Sequence, residues 1–186
     1  MIITLAGAPA SGKGTVGKIL AQRLGFKSYS TGQMRRDEAS SKNMTLEEFN
    51  DWSLKNKMGD KFFDDKQKEL GEKQDNFVID GRLAWYFIPH SIKVFLDVDI
   101  DEGARRRFAE INKPGRAEQH LTSLEDVKKV LIDRTKHDLE RYGDLYGIKE
   151  YDKKKFDIVI DTTQLSPQQV ADAILDSIRK MGYKVS

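Results

Sequence analysis

Nine residues near the start of the chain constrain its fold more than any others: Gly7-Ala8-Pro9-Ala10-Ser11-Gly12-Lys13-Gly14-Thr15. They follow an apolar run, Ile2–Ala6, and precede a helical stripe of Val16, Ile19, Leu20 and Leu24 that Gly25 ends. Glycines so spaced between a strand and a helix let the backbone curl until several N–H groups point at one anion. The helix that follows adds the positive end of its dipole. Lys13 adds a compact point charge suited to the β- and γ-phosphates of a nucleoside triphosphate. A strand, loop and helix of this kind open an α/β fold and bind phosphate.

The rest of the chain supplies the sheet. Ser28–Ser30, Phe77–Ile79, Lys93–Asp97 and Asp157–Ile160 join Ile2–Ala6 as five expected strands. Four of them are rich in Ile, Val, Leu or Phe without alternation, as strands buried on both faces are. Between them lie helix signals. Thr45-x-x-Glu48 is a capping box, and Ser166-Pro167-Gln168-Gln169 opens a last helix carrying Val170, Ile174, Ile178 and Met181. Strands alternating with helices predict α/β architecture: a five-stranded parallel sheet wrapped by helices, here in one domain over 1–186. A chain of 186 residues buries about 70% of its unfolded surface and needs no staples. The polar stretches Gln33–Gln74 and Glu110–Ser123 read as insertions on that core.

Composition closes several routes. Charged residues make up 33% of the chain, yet 32 Lys and Arg against 30 Asp and Glu leave a net charge of only +2. That balance excludes the uncompensated positive coat by which proteins hold nucleic acid. Without cysteine there is no disulfide, no thiol nucleophile and no thiolate metal site, which fits a reducing cytoplasm. No apolar run approaches the roughly 18 residues a bilayer requires, so no membrane partner is expected. Met1–Ala6 lacks the basic leader and length of a signal peptide and reads as the first buried strand. His90, His120 and His137 show no metal-ligand spacing.

Three further segments carry charge where ligands are expected. Ser30-Thr31-Gly32-Gln33-Met34-Arg35-Arg36 follows the second strand, and Ile79-Asp80-Gly81-Arg82 ends the third. In open α/β sheets, ligands bind outside the carboxyl ends of the strands. On a helix through 123–145, Leu124, Val127 and Leu131 form an apolar seam, and its 3- and 4-residue steps continue onto Arg134, Asp138, Arg141 and Leu145. At about 100° per residue, Asp138 and Arg141 lie about 40° and about 20° to either side of Arg134. Charges on the extension of a buried stripe are costly unless they meet a ligand or each other. A solvated face would place them opposite.

These segments resemble the nucleoside-monophosphate kinases, the adenylate kinase-like P-loop kinases, and among them most closely the cytidylate kinases of the compact archaeal type. Gly12-Lys13-Gly14-Thr15 places Gly where other P-loops carry Ser or Thr, an order shared with adenylate kinase relatives. Ser30-Thr31-Gly32-Gln33-Met34-x-Arg36 resembles their monophosphate-gripping segment, with Gln33 at the position of the family's acid. Asp80-Gly81-Arg82 and Arg134-x-x-x-Asp138-x-x-Arg141 are similar to cytidylate kinases, as is Asp161-Thr162-Thr163-x-Leu165-Ser166.

The resemblance implies transfer of the ATP γ-phosphoryl group to CMP or dCMP. It implies that the loop from Gly7 to Thr15 binds ATP. Thr31, Gly32, Arg36, Gly81, Arg82 and Asp138 would hold the acceptor, and Lys13, Arg134, Arg141 and Asp80 would carry the catalysis. Mg2+ would be held by Thr15 and, through water, by Asp80. Residues 31–75 would form acceptor-binding helices and 109–136 a lid on a cytoplasmic monomer. One of Arg105, Arg106 and Arg107 would touch the ATP phosphates, while Trp85, Tyr86 and Phe87 would pack under the acceptor pocket. Lys153-Lys154-Lys155 reads as a solvated loop. Two alternatives stay open: an adenylate kinase or other small-acceptor kinase, and a non-catalytic ATP-binding switch or assembly factor.

Overall fold

The apolar run at the start of the chain forms the centre of the sheet. In the computed structural model, which describes residues 1–45, 48–49, 52–53, 59–111 and 121–185, β1 (Ile2–Gly7) is buried at every position. The elements then follow in order: α1 (Lys13–Leu24), β2 (Lys27–Ser30), α2 (Thr31–Ser41), α3 (Gly59–Lys73), β3 (Phe77–Asp80) and α4 (Ala84–Phe87). After them come β4 (Ile92–Asp97), α5 (Ile100–Ile111), α6 (Leu124–Tyr146), a 3-10 turn (Lys153–Lys155), β5 (Ile158–Asp161) and α7 (Pro167–Lys180). The five strands run in the order β2-β3-β1-β4-β5, and all their pairings are parallel.

Register brings the strand ends together. Leu5 pairs with Asp80, Ser30 with Asp80, Gly7 with Leu96 and Asp97 with Asp161. The two segments expected to bind phosphate, after β1 and after β3, therefore leave adjacent strands side by side.

Period-2 alternation divides β1 between two cores. Ile3 and Leu5 pack with Val16 and Leu20 of α1 and with Val170, Ile174 and Ile178 of α7. On the other face, Ala6 joins Phe95, Leu83, Trp85, Phe87 and Tyr142. Both capping boxes expected from sequence form. Ser166 Oγ accepts from Gln169 N at 3.3 Å while Gln169 Oε1 accepts from Ser166 N at 2.8 Å, and Thr45 and Glu48 exchange the equivalent bonds.

Several local expectations change. The last strand lies one residue later than expected, because Asp157 Oδ2 instead accepts from Lys93 N at 2.8 Å and pins the strand's entrance. Lys153–Lys155, expected as a solvated loop, is exposed and forms a 3-10 turn capped by Asp152. Leu124 and Leu145 are exposed, while Val127, Leu131, Asp138 and Tyr142 of the same helix are buried. Tyr86 and Met181 are exposed too, leaving Trp85 and Phe87 as the buried aromatics of α4. Residues 112–120 of the expected lid, with His120, lie outside the described residues. Among the described residues, no helix is long and apolar enough to cross a membrane.

Candidate functional site

The loop after β1 owes its shape to residues with left-handed backbone. Gly7 has φ +132°, Ala10 +62° and Gly12 +88°, the last as N-cap of α1. The loop is tied down from behind. Thr162, buried at the end of β5, donates its hydroxyl to Asp97 O at 2.9 Å, with Ser11 O at 3.4 Å as a second acceptor.

Arg106 holds Thr162 in turn. It reaches the Thr162 carbonyl at 2.6 Å and the Thr163 carbonyl at 3.2 Å, while Glu102 engages its Nε at 2.9 Å. Arg105 pairs with Glu102, and Arg107 with Glu110. Of the three arginines, Arg106 thus braces the loop through Thr162.

Lys13 folds back into the loop. Its Nζ donates to Gly7 O at 2.9 Å, Ala8 O at 2.6 Å and Ser11 Oγ at 3.4 Å. Burial, with Arg82 next to it, lowers its pKa from 10.5 to about 7, and Asp80 opposes that shift. Asp80, half-buried at the end of β3, accepts from Ser30 Oγ at 2.8 Å. Burial raises its pKa; the Ser30 bond, Lys13 and Arg36 pull it back.

Two glycines permit this closeness. A Cβ on Gly14 would stand 3.3 Å from Asp80 Oδ2, so a side chain there would crowd the carboxylate. A Cβ on Gly81 would sit 2.6 Å from Thr31 Cγ2, so Gly81 lets the end of β3 lie against the start of α2.

Asp138 is the pivot of the remaining charges. It is buried, pairs with Arg82 and accepts from Arg141 Nη2 at 3.1 Å. Arg141 also lies 5.1 Å from the centre of the Tyr142 ring. Lys13, Thr31, Gly32, Asp80, Gly81, Arg82, Arg134 and Arg141 all line one cavity of about 200 Å3. Arg36 does not line it. Arg36 is exposed and donates to Gln33 Oε1 at 3.1 and 2.8 Å, while Arg35 takes the cavity position over the Phe63 ring.

The cavity also holds residues that sequence reasoning missed: Arg35, Phe63, Asp64, Gln67, Tyr142 and Tyr146. Tyr146 of α6 donates its hydroxyl to Asp64 of α3 and so joins the two walls. The available signal was Gln67, a polar residue one turn beyond the buried Phe63 on the same helical face. A larger, mostly apolar groove of about 1060 Å3 runs between α5 and α6 and reaches the loop only at Ala8 and Pro9. It includes none of Lys13, Asp80, Arg82, Arg134 and Arg141.

Among the described residues, no three His, Cys, Asp or Glu side chains cluster as a metal cage. Asp80, at the end of β3, and Thr15, exposed in the first turn of α1, each carry an oxygen of the hard kind that magnesium takes.

Known proteins resemble this chain along nearly its whole length. The cytidylate kinase-like family model matches residues 2–164. A cytidylate kinase of Archaeoglobus fulgidus is 32% identical over 186 residues, covering 100% of this chain and 98% of that protein. One of Thermoplasma acidophilum is 34% identical over 187 residues, covering 99% and 95%. An S-adenosylmethionine-dependent nucleotide dehydratase of Lacinutrix mariniflava is 32% identical across 96% of this chain, but that match spans only 36% of the dehydratase. Among solved structures, shikimate kinase from Bacteroides thetaiotaomicron superposes with a TM-score of 0.66 at 18% identity, covering 98% and 99% of the two chains. Shikimate kinase from Aquifex aeolicus gives 0.59 at 20%, over 98% of each. At that identity the structures speak for the P-loop kinase fold alone. With the family model spanning nearly all of the sheet and every segment of the site, the chain belongs to the cytidylate kinase-like family.

Proposed function

We propose that this ATP-dependent kinase transfers the γ-phosphoryl group of ATP to CMP or dCMP, giving ADP and CDP or dCDP. One observation carries the reading: the loop lysine shares a cavity with Arg82, Arg134 and Arg141. A kinase acting on a phosphorylated acceptor must hold two mutually repelling polyanions, and guanidinium forks match phosphate oxygens. A pure ATP sensor has no use for the second set. The choice of cytosine rests on the spacing of Arg134, Asp138 and Arg141, on Asp80-Gly81-Arg82, and on membership of the family.

In this reading the amides from Gly7 to Thr15, with Lys13, seat the ATP phosphates. Arg82, with Arg35 in the cavity place expected of Arg36, receives the acceptor phosphate beside Thr31, Gly32 and Gly81. Arg134 and Arg141 bridge the two phosphates, and Asp138 orients the acceptor's sugar. The transition state spreads charge over the equatorial oxygens, so positioning and electrostatics supply the rate. No general base is needed, because the attacking phosphate oxygen is already ionised near neutral pH. Thr15 and, through water, Asp80 would hold a magnesium ion, which supplies charge neutralisation on the β- and γ-phosphates. We place the chain in the cytoplasm as a monomer.

ADP release, followed with AMP, CMP, dCMP, UMP, GMP and shikimate as acceptors, tests the assignment. CMP or dCMP should give the highest kcat/KM. Fastest turnover with AMP or shikimate, or tight ATP binding without acceptor-dependent turnover, would overturn it.

Asp138→Ala separates a ligand role from a purely structural one. It should raise KM for CMP about tenfold, the scale of one lost charged hydrogen bond, with KM for ATP changing less than about twofold. Equal changes in both would mean that Asp138 serves only to pair Arg82 and Arg141.

A further inference from the structure

On the α3 wall of the cavity, Gln67 is a buried amide whose oxygen has no hydrogen-bond partner among the described residues. Its residue exposure is 4%. Its Nε2 donates to Phe63 O, one turn earlier, at 3.1 Å. A carbonyl only accepts, so that contact fixes which end of the amide is NH2 and leaves Oε1 as the free end. Among the described residues, Gln67 Oε1 is buried without a hydrogen-bond partner. Buried acceptors are rarely left so without a use. Gln67 is also one of the residues lining the cavity with Lys13, Arg82, Arg134 and Arg141. A nucleotide seated by those cations through its phosphate would bring its base toward the same walls.

We infer that Gln67 determines acceptor specificity by accepting a hydrogen bond from the exocyclic amine of the acceptor's base. This rests on the nucleotide reading given above. Among the pyrimidines, the chemistry selects the amino-bearing one. Cytosine presents N–H donors at ring position 4, whereas uracil presents a carbonyl there, and a carbonyl facing Oε1 leaves two acceptors opposed. The bond from Nε2 to Phe63 O prevents the amide from turning over to suit uracil, since the turn would set Oε1 against that carbonyl. Asp64, three residues earlier on the same wall, accepts from Tyr146 and so holds α3 against α6 while the base is read. Ribose and deoxyribose are not distinguished by this contact.

The test compares CMP with UMP and with the CMP analogue that carries hydrogen in place of the 4-amino group, using wild type, Gln67→Met and Gln67→Glu. Wild type should lose about ten- to hundredfold in kcat/KM when the amine is removed, the scale of one buried hydrogen bond. In Gln67→Met that discrimination should fall to within about threefold, because the two deletions remove the same contact. KM for ATP should stay within about twofold. Gln67→Glu keeps an acceptor and should keep the preference for the amine.

A Gln67→Met enzyme that still discriminates as wild type does would overturn the inference. So would a wild type indifferent to the amine, a measurement that stands even if the methionine variant fails to fold. The two readings fail distinguishably. A wild type that prefers shikimate or another non-nucleotide acceptor ends both. A wild type that turns over CMP well but ignores the amine ends this one alone.

Discussion

Lys13→Met should lower kcat about a thousandfold with CMP as acceptor while the circular dichroism spectrum and cooperative unfolding persist. The magnitude is that of deleting a principal charge donor at a developing anion. Structural tolerance follows from the residue's place. Lys13 is half-buried, and its three hydrogen bonds run to the loop's own oxygens rather than into either core. Near-wild-type turnover in the purified variant would remove the loop from the mechanism.

The same lysine predicts a proton signal. Burial and Arg82 bring its pKa down to about 7, yet donation to three oxygens at once requires the ammonium form. A bound phosphate favours the charged form and raises the pKa, so ATP binding should take up a proton above pH 7 and weaken as the pH rises. Calorimetric titration at pH 8 in two buffers of different ionisation enthalpy should show that uptake in wild type and none in Lys13→Met. Stability runs the other way. The unfolded chain, with Lys13 near 10.5, binds more protons than the folded one from about pH 7 upward. The contribution of Lys13 to folding therefore improves across that window.

Gly7→Ala should cost about 4 kcal/mol or more in urea unfolding, among the largest effects available to a single methyl group. Its φ of +132° is one that L side chains rarely adopt, and a Cβ there would sit 2.0 Å from Leu96 O and 2.8 Å from Leu96 C and N. Those are backbone atoms of β4, paired on both sides in the sheet, and they have nowhere to retreat. Gly25→Ala is the matched control. Gly25 also has positive φ, +65°, but no heavy atom lies within 4 Å of a Cβ there. It should cost only the left-handed strain, about 1–2 kcal/mol. Equal costs at the two positions would mean that the contact with Leu96 is relieved by a small shift.

Features written in contiguous residues were readable from the chain. The loop from Gly7 to Thr15, the boxes at Thr45 and Ser166, and the stripe from Val127 through Asp138 all depend on spacing within one element. What required the fold was the meeting of elements. Arg35 and Arg36 are neighbours on α2, and only the position of Phe63 on α3 decides which one turns into the cavity. Gln67 and Tyr146 lie 79 positions apart in sequence, and nothing local announces that α3 and α6 wall the same space. Leu124 and Leu145 fit the apolar period of α6 yet are exposed, because a period says which face is greasy and not how far the neighbour extends. Arg106 looked interchangeable with Arg105 and Arg107 until the end of β5 gave it the Thr162 and Thr163 carbonyls.

If Arg82 and Arg141 receive phosphate as proposed, their pairing with Asp138 makes substrate entry an exchange of counter-ions. An anion that takes Arg82 replaces a carboxylate already seated there, so it must offer more than one negative oxygen to gain from the swap. A phosphate monoester dianion meets that threshold, whereas an unphosphorylated nucleoside brings nothing to trade. On the proposed reading, the ion pairs at Asp138 would thus favour acceptors by charge as well as by base.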